Sequence, residues 1–313
     1  MEYNKWVADL EPGDEIEGFY ILKTAQIKTS NSGKPFLAAC VADRSGAVDA
    51  KFWDYSGPLG PQDEGTVVKL RGGVSEYRGS LQLILTRVRP VQEDDRYSLG
   101  DLVPTAPIDP DASWQELLAL ADGTGEYQAV CRRGLERWAD RFRSLPGGKS
   151  MHHSFLNGLL MHTLYMARMA DFLAGMYPET VDRDLLVAGT ILHDAAKCDE
   201  FVTSPLGLVT EYSVKGELLG HLVMGAQAVA KAAEETGLPE DKSVLLQHMI
   251  LSHHGDPQFG AAVRPVCAES ELLSMIDLID SRMEIYRETM EETRPGTFSK
   301  RVFALDKKIY CHR

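Results

Sequence analysis

Eight of the nine histidines in this 313-residue chain fall between His152 and His254, and most sit in patterns that suit metal-assisted chemistry. His162, the dipeptide His193-Asp194, His221, the dipeptide His253-His254 and Asp277 fall on, or at the ends of, successive helical segments. Imidazole and carboxylate are the ligands that Mn²⁺, Fe²⁺, Co²⁺, Ni²⁺ and Zn²⁺ accept, and this set exceeds what one tetrahedral ion needs. It suffices for two divalent ions with positions left open to water and substrate. A single histidine on an apolar helix face is more often a core residue satisfied by one hydrogen bond. Leaving several without partners in an apolar medium, however, costs roughly 2–7 kcal/mol each. The runs Gly189-Thr-Ile-Leu-His-Asp and Met249-Ile-Leu-Ser-His-His pass straight from aliphatic residues into imidazoles, so the set as a whole reads as a site. His248 falls outside the pattern and reads as structural or exposed, and His312 as part of a tail.

Helical apolar spacing places these groups on segments near Ser154 to Met176, Asp182 to Lys197, Lys215 to Thr236, Asp241 to Ser252 and Glu269 to Glu292. Two helices lead in, one beginning near Trp114 with Asp111 or Ser113 as its cap, the other over Glu126 to Phe142. Before them, Pro104, Pro107 and Pro110 among small and acidic residues read as linker. The first hundred residues follow a different rule. Short β-branched and aromatic runs over Glu15 to Thr29, Pro35 to Asp43, Ala47 to Trp53, Thr66 to Tyr77 and Ser80 to Val91 are separated by glycine-bearing turns. Five such strands suit a small barrel. The expected plan is an all-β barrel at 1–95, linker and lead-in helices at 96–150, an all-α bundle at 151–295 and a basic tail at 296–313.

Composition sets the outer bounds. With 44% hydrophobic and 25% charged residues the chain is an ordinary globular one, which excludes collagenous and disordered classes. No apolar run approaches the ~18 residues of a membrane span, and Met1 to Glu17 lacks the apolar core of a signal peptide, so no membrane partner and a cytoplasmic location are expected. Cys40, Cys131, Cys198, Cys267 and Cys311 form no Cys-x-x-Cys pair, against a zinc ribbon or disulfide framework. The net charge of −13 is unevenly spread: Met151 to Met290 carries 20 acidic and 9 basic side chains, whereas Thr66 to Val91 sets Lys69, Arg71, Arg78, Arg87 and Arg89 against Glu76 alone. A polyanion is therefore expected at the first half, where Lys34, Trp53 and Tyr77 are candidate contacts through charge and base stacking. Alternate strand residues point inward, so Phe52 and Trp53 cannot both face a ligand.

His162, His193-Asp194, His221, His253-His254 and Asp277 resemble the HD-domain metal-dependent phosphohydrolases in their binuclear version. The segments His152-His-Ser-Phe-Leu-Asn-Gly-Leu-Leu-Met-His-Thr, Ala188-Gly-Thr-Ile-Leu-His-Asp-Ala-Ala-Lys, Gly220-His-Leu-Val-Met-Gly and Met249-Ile-Leu-Ser-His-His-Gly more specifically resemble the YhaM group of 3′ to 5′ exoribonucleases. That group joins an amino-terminal OB-fold to an HD domain, and the resemblance covers nearly the whole chain. Met161 stands where a glutamate commonly precedes the first ligand histidine, and Ala195-Ala196 replaces the usual Ile-Gly; neither removes a ligand.

The resemblance implies that Asp194 bridges two ions, with His162, His193 and Asp277 at one and His221, His253 and His254 at the other. Mn²⁺ leads the candidates, ahead of Co²⁺, Fe²⁺, Ni²⁺, Mg²⁺ and Zn²⁺. Two such ions lower the pKa of water and clamp the attacking and leaving oxygens of an in-line displacement. Lys197, three residues beyond Asp194, falls on the same face of a continuing helix and is expected to offset phosphate charge, the alternative being a salt bridge to Asp199 or Glu200. His152 and His153, ahead of the first bundle helix, are expected to contact a phosphate or else to cap the helix, and Arg264 and Arg282 are further candidate substrate contacts. Asp280, one turn beyond Asp277, reads as a solvated acid rather than a support for the site. The implied activity is 3′ to 5′ hydrolysis of single-stranded RNA, with single-stranded DNA as a second substrate, to nucleoside 5′-monophosphates, by a chain that can form a homo-oligomer. Two other readings stay open: an HD phosphodiesterase or nucleotidase acting on a small cyclic nucleotide, and a nucleic-acid-binding protein with a non-catalytic HD half.

Overall fold

The computed structural model describes residues 2–30, 32–77, 79–148 and 154–313, and the chain divides into two units, Met1–Thr105 with Ser204–Leu206, and Ala106–Thr203 with Gly207–Arg313.

The first unit is built on β1 (Glu2–Tyr3), β2 (Glu15–Thr29), β3 (Pro35–Asp43), β4 (Gly46–Trp53), β5 (Val67–Tyr77) and β6 (Ser80–Pro90). Side chains two apart turn to one face of a strand. Accordingly Leu37, Ala39 and Val41 of β3, Val48 and Ala50 of β4, Val68 and Leu70 of β5, and Leu83 and Leu85 of β6 share one core with Ile16, Tyr20 and Leu22 of β2. The long β2 serves two neighbours, pairing with β5 over Glu15 to Ile21 and with β3 from Ile21 to Thr29, with a register shift between Leu22 and Thr24. A bulge of this kind bends the strand, which lets it cross from one side of the barrel to the other. The ring closes because β4 also pairs in parallel with β6 and β6 with β5. The circuit β2-β3-β4-β6-β5-β2 is the strand order of an OB-fold barrel.

The second unit comprises α1 (Pro110–Asp122), α2 (Gln128–Ser144), α3 (Gly158–Met176), α4 (Arg183–Leu192), α5 (Lys197–Glu200), β7 (Phe201–Thr203), β8 (Val209–Tyr212), α6 (Val214–Thr236), α7 (Glu240–Ser252), α8 (Ala268–Glu291), β9 (Thr297–Val302) and β10 (Lys307–Cys311). Leu117, Leu135, Phe142, Leu160, Ile191 and Leu273 are among its fully buried core residues. Helix α1 starts earlier than its apolar residues suggest. Asp109, not Asp111 or Ser113, caps it by accepting from the amides of Asp111 and Ala112, because Pro110 at the first helical position fixes φ and has no amide to satisfy.

The helix expected to run from Asp182 to Lys197 instead ends at Leu192, and the chain tightens into turns in which the Ala195 amide donates to Leu192 O and the Lys197 amide to Asp194 O. The segment 296–313, read as a tail, is the hairpin β9–β10. Asp306 makes its turn at a φ of 53°, and Ile309 and Cys311 are buried. The hairpin β7–β8 had no clear sequence signal, being too short for a period to show. Among the described residues no helix is long and apolar enough to cross a membrane.

Candidate metal centre

Two helices reach the site by the same device. The last carbonyls of a helix have no amide partner within it. At the end of α4, His193 donates from Nδ1 to Thr190 O at 2.7 Å, and at the end of α7, His253 donates from Nδ1 to Ile250 O at 2.8 Å. Each ring thus caps its own helix and turns its Nε2 away from it. The negative ends of two helix dipoles accompany these rings, which favours positive charge there. The helices themselves approach closely, since a Cβ at Gly189 would fall 2.6 Å from Met249 Cε.

The other two imidazoles with a fixed tautomer take it from carboxylates. His162 on α3 donates from Nδ1 to Asp280 Oδ2 at 2.7 Å. His221 donates from Nδ1 to Glu200 at 3.0 Å, and its amide donates to the same carboxylate at 2.9 Å. That amide is available because α6 breaks at Gly220, whose φ of 69° and ψ of 161° are not helical. Partners of this sort fix ring orientation and raise ligand basicity.

Asp194 stands at the centre of the group. Its Oδ2 lies 3.3 Å from His193 Nε2 and 3.7 Å from His162 Nε2, while its Oδ1 lies 3.4 Å from His221 Nε2 and 3.7 Å from His253 Nε2. Asp277 on α8 approaches His162 Nε2 at 3.5 Å. Potential ligand atoms gather within 4.8 Å of one another in three overlapping sets: His162, His193 and Asp277; His193, Asp194 and His253; His221, His253 and His254. Lys197 donates to Asp194 Oδ2 at 2.7 Å and to Gly147 O at 2.9 Å, so its partner is Asp194 and neither Asp199 nor Glu200.

These groups fit a cation. Asp194 Oδ1, His221 Nε2, His253 Nε2 and His254 Nδ1 are buried without a hydrogen-bond partner among the described residues, a burden that packing alone does not relieve. Burial pushes the His162 pKa down to about 3 and that of His254 down to about 4, and holds His253 well below its ordinary value. These rings are therefore neutral near pH 7, as ligation requires. Burial opposes charge on His193 as well, but Asp194 beside it wins and raises its pKa. Burial likewise resists ionising Asp194, yet Lys197 and His193 hold that carboxyl well below its usual range.

The remaining candidates are dispersed. Arg264 is exposed and pairs with Asp256 at 2.8 Å, and Arg282 is exposed on α8. His152 and His153 lie outside the described residues. His248 accepts from the Val266 amide at 3.2 Å. On the barrel, Trp53 and Tyr77 are 46% and 51% exposed, Lys51 Nζ lies 5.8 Å and 5.1 Å from their ring centroids, and Phe36 packs on Trp53 at 4.8 Å. Phe52 turns inward against the core. Lys34 pairs with Asp54 at 2.9 Å. Asp280, expected as a solvated acid, stands three residues beyond Asp277, a spacing that puts both on one helix face. Buried and bonded to His162, it is not a solvated acid. Glu200, expected only as an alternative partner for Lys197, bonds His221 instead, and no sequence period ties the two.

The HD-domain family model matches residues 159–282. Fold and site together define a divalent-metal-dependent hydrolase of the HD class. The 3′-5′ exoribonuclease YhaM of Bacillus licheniformis is 35% identical over 308 residues, covering 96% of this chain and 95% of the relative. That of Listeria innocua is 35% identical over 312 residues, covering 98% and 97%. The chain belongs to the YhaM family of 3′-5′ exoribonucleases and is a hydrolytic nuclease. The second OB-fold domain of replication protein A from Methanococcus maripaludis overlays 30% of this chain and all of its own length at 12% identity and a TM-score of 0.23. The barrel's class rests on its strand order and not on that overlay.

Proposed function

We propose that the chain degrades single-stranded RNA from the 3′ end to nucleoside 5′-monophosphates, with single-stranded DNA as a second substrate, using two divalent ions of which Mn²⁺ is the first candidate. The observation that carries this reading is the division of Asp194, whose two oxygens face two different pairs of imidazoles. His162, His193 and Asp277 would hold one ion and His221, His253 and His254 the other, with Asp194 common to both. Bound there, such cations neutralise charge on a phosphodiester and make water a nucleophile near neutral pH.

The chain's own groups do the rest. Asp280, Thr190 O, Glu200 and Ile250 O accept from the four Nδ1 atoms, so each ring turns its Nε2 toward the group. Lys197 keeps Asp194 ionised and fixed, and its charge stands ready to offset that of a phosphate. His221, His254 and Asp277 are less buried than His193 and His253, which makes their side the natural entry for substrate and water. The barrel, assigned to residues 1–95, offers a stacking platform at Trp53 and Tyr77 that tolerates any sequence. RNA labelled at either end, incubated with the purified chain and Mn²⁺, Co²⁺ or Mg²⁺, tests the proposal. Monophosphates released from the 3′ end with two metal equivalents per chain are expected. Intact RNA under all three salts sinks it.

A further inference from the structure

On the outer face of the barrel, β5 and β6 set like charges against each other twice in succession. Lys69 stands opposite Arg89, and Arg71 opposite Arg87. Like charges directly opposite one another destabilise a sheet. Acids relieve only one of these pairs. Asp95 takes Arg89 in a two-pronged pair at 2.6 and 2.8 Å, and Glu17 lies 3.6 Å from Lys69. Among the described residues, neither Arg71 nor Arg87 has an ion-pair partner.

The backbone presents this second pair deliberately. Arg71 pairs with Arg87 but Gly72 with Leu85, so Thr86 is an extra residue in β6. That bulge leaves Thr86 and Arg87 both exposed in sequence, and bulges characteristically re-aim a side chain. Lys69, Arg71, Thr86, Arg87 and Arg89 line a groove of about 620 Å³. Its acids are already engaged, Glu17 by Lys69 and Asp54 by Lys34. Phe52 lines it and neither Trp53 nor Tyr77 does, so this groove is distinct from the Trp53 and Tyr77 face.

We propose that the groove is a second track for single-stranded RNA, in which Arg71 and Arg87 hold the sugar–phosphate backbone. A guanidinium matches a phosphate with two parallel hydrogen bonds. Contacts of this kind fix position and carry no sequence information. The inference rests on RNA being the substrate, as proposed above.

The test is fluorescence anisotropy on the intact chain with labelled single-stranded RNA across a salt series, cleavage being prevented by a chelator. Two lost phosphate contacts on a single strand lower the slope of log affinity against log salt by about 1.4, or roughly 25-fold at 0.1 M relative to 1 M salt. R71Q/R87Q is expected to show that loss, and R71K/R87K to restore the slope. The melting midpoint of R71Q/R87Q should not fall, because the substitution removes a like-charge opposition. An unchanged slope in R71Q/R87Q overturns the proposal and leaves the arginines to an acidic protein surface. A lost slope with a lowered midpoint and no recovery in R71K/R87K also overturns it. A wild-type chain that shows the arginine-dependent slope yet never cuts RNA supports the groove while defeating the nuclease reading.

Discussion

The barrel keeps its charged groups outside, and the helical unit buries its own. Inside the barrel, aliphatic residues alternate with exposed polar ones, and its basic side chains sit on the surface. In the helical unit His162, His193, Asp194 and His253 are nearly inaccessible, yet they sit beside a core of leucine and isoleucine. A surface charge is cheap to keep and cheap to change. A buried group is retained only if something compensates it, and here several buried ligand atoms have no hydrogen-bond partner among the described residues. The contrast teaches where function is concentrated: the helical unit bears the strain of chemistry, whereas the barrel offers a surface.

The hardest blow to that contrast comes at Asp194. Asp194→Ala should lower single-turnover RNA hydrolysis by about a thousandfold or more, the scale of several kcal/mol of transition-state stabilisation, while anisotropy reports unchanged RNA binding. Binding lost along with cleavage would show that the two regions do not divide the work.

Support positions come next. Asp280→Asn and Glu200→Gln keep the shape of the partner but weaken its hold on Nδ1, and each should reduce metal affinity or turnover by roughly 10–100-fold. Competition with a chromogenic chelator measures this. An unchanged affinity would make those carboxylates merely structural.

On the barrel side, Trp53→Ala should cost roughly 1–3 kcal/mol of RNA affinity, with the same decrement for oligomers of different sequence. A loss confined to one sequence would turn the platform into a reader.

The smallest effect separates the regions by pH. In the metal-stripped chain, His162 and His254 titrate near 3 and 4 when folded, against about 6.5 when unfolded. The unfolded state therefore binds more protons across that window, so stability falls as pH drops from about 6.5 toward 4. His193, whose pKa is raised, opposes part of this. In the barrel, a backbone amide and Lys5 lower the pKa of Asp14, and Arg89 that of Asp95, so their contribution is lost only as pH falls below the ordinary carboxylate value of 3.8. Calorimetric scans should show the helical transition moving down first. A barrel transition that moved first would reverse the comparison.

The strands of the barrel and most helices were legible because each carries a full period of apolar residues. The ligand set was legible because His193 and His253 each end an aliphatic run, where a polar ring is conspicuous. Local events escaped. Pro110 moved the cap of α1 to Asp109, and the turn after Leu192 ended a helix whose apolar pattern seemed to continue. Asp280 and Glu200 escaped for another reason. Their meaning lies in partners 118 and 21 residues away, His162 and His221, and no periodicity reports such distances.

Gly220 carries a consequence beyond the site it serves. Its φ of 69° and ψ of 161° fall where only glycine rests without a penalty of order 1–3 kcal/mol, although the nearest atom to an added Cβ, Glu200 Oε1, is 3.9 Å away. The bar is conformational, not steric. Mutational drift can rewrite much of the helix around it, but this codon is pinned, and a residue with no functional group of its own becomes one of the least evolvable in the chain.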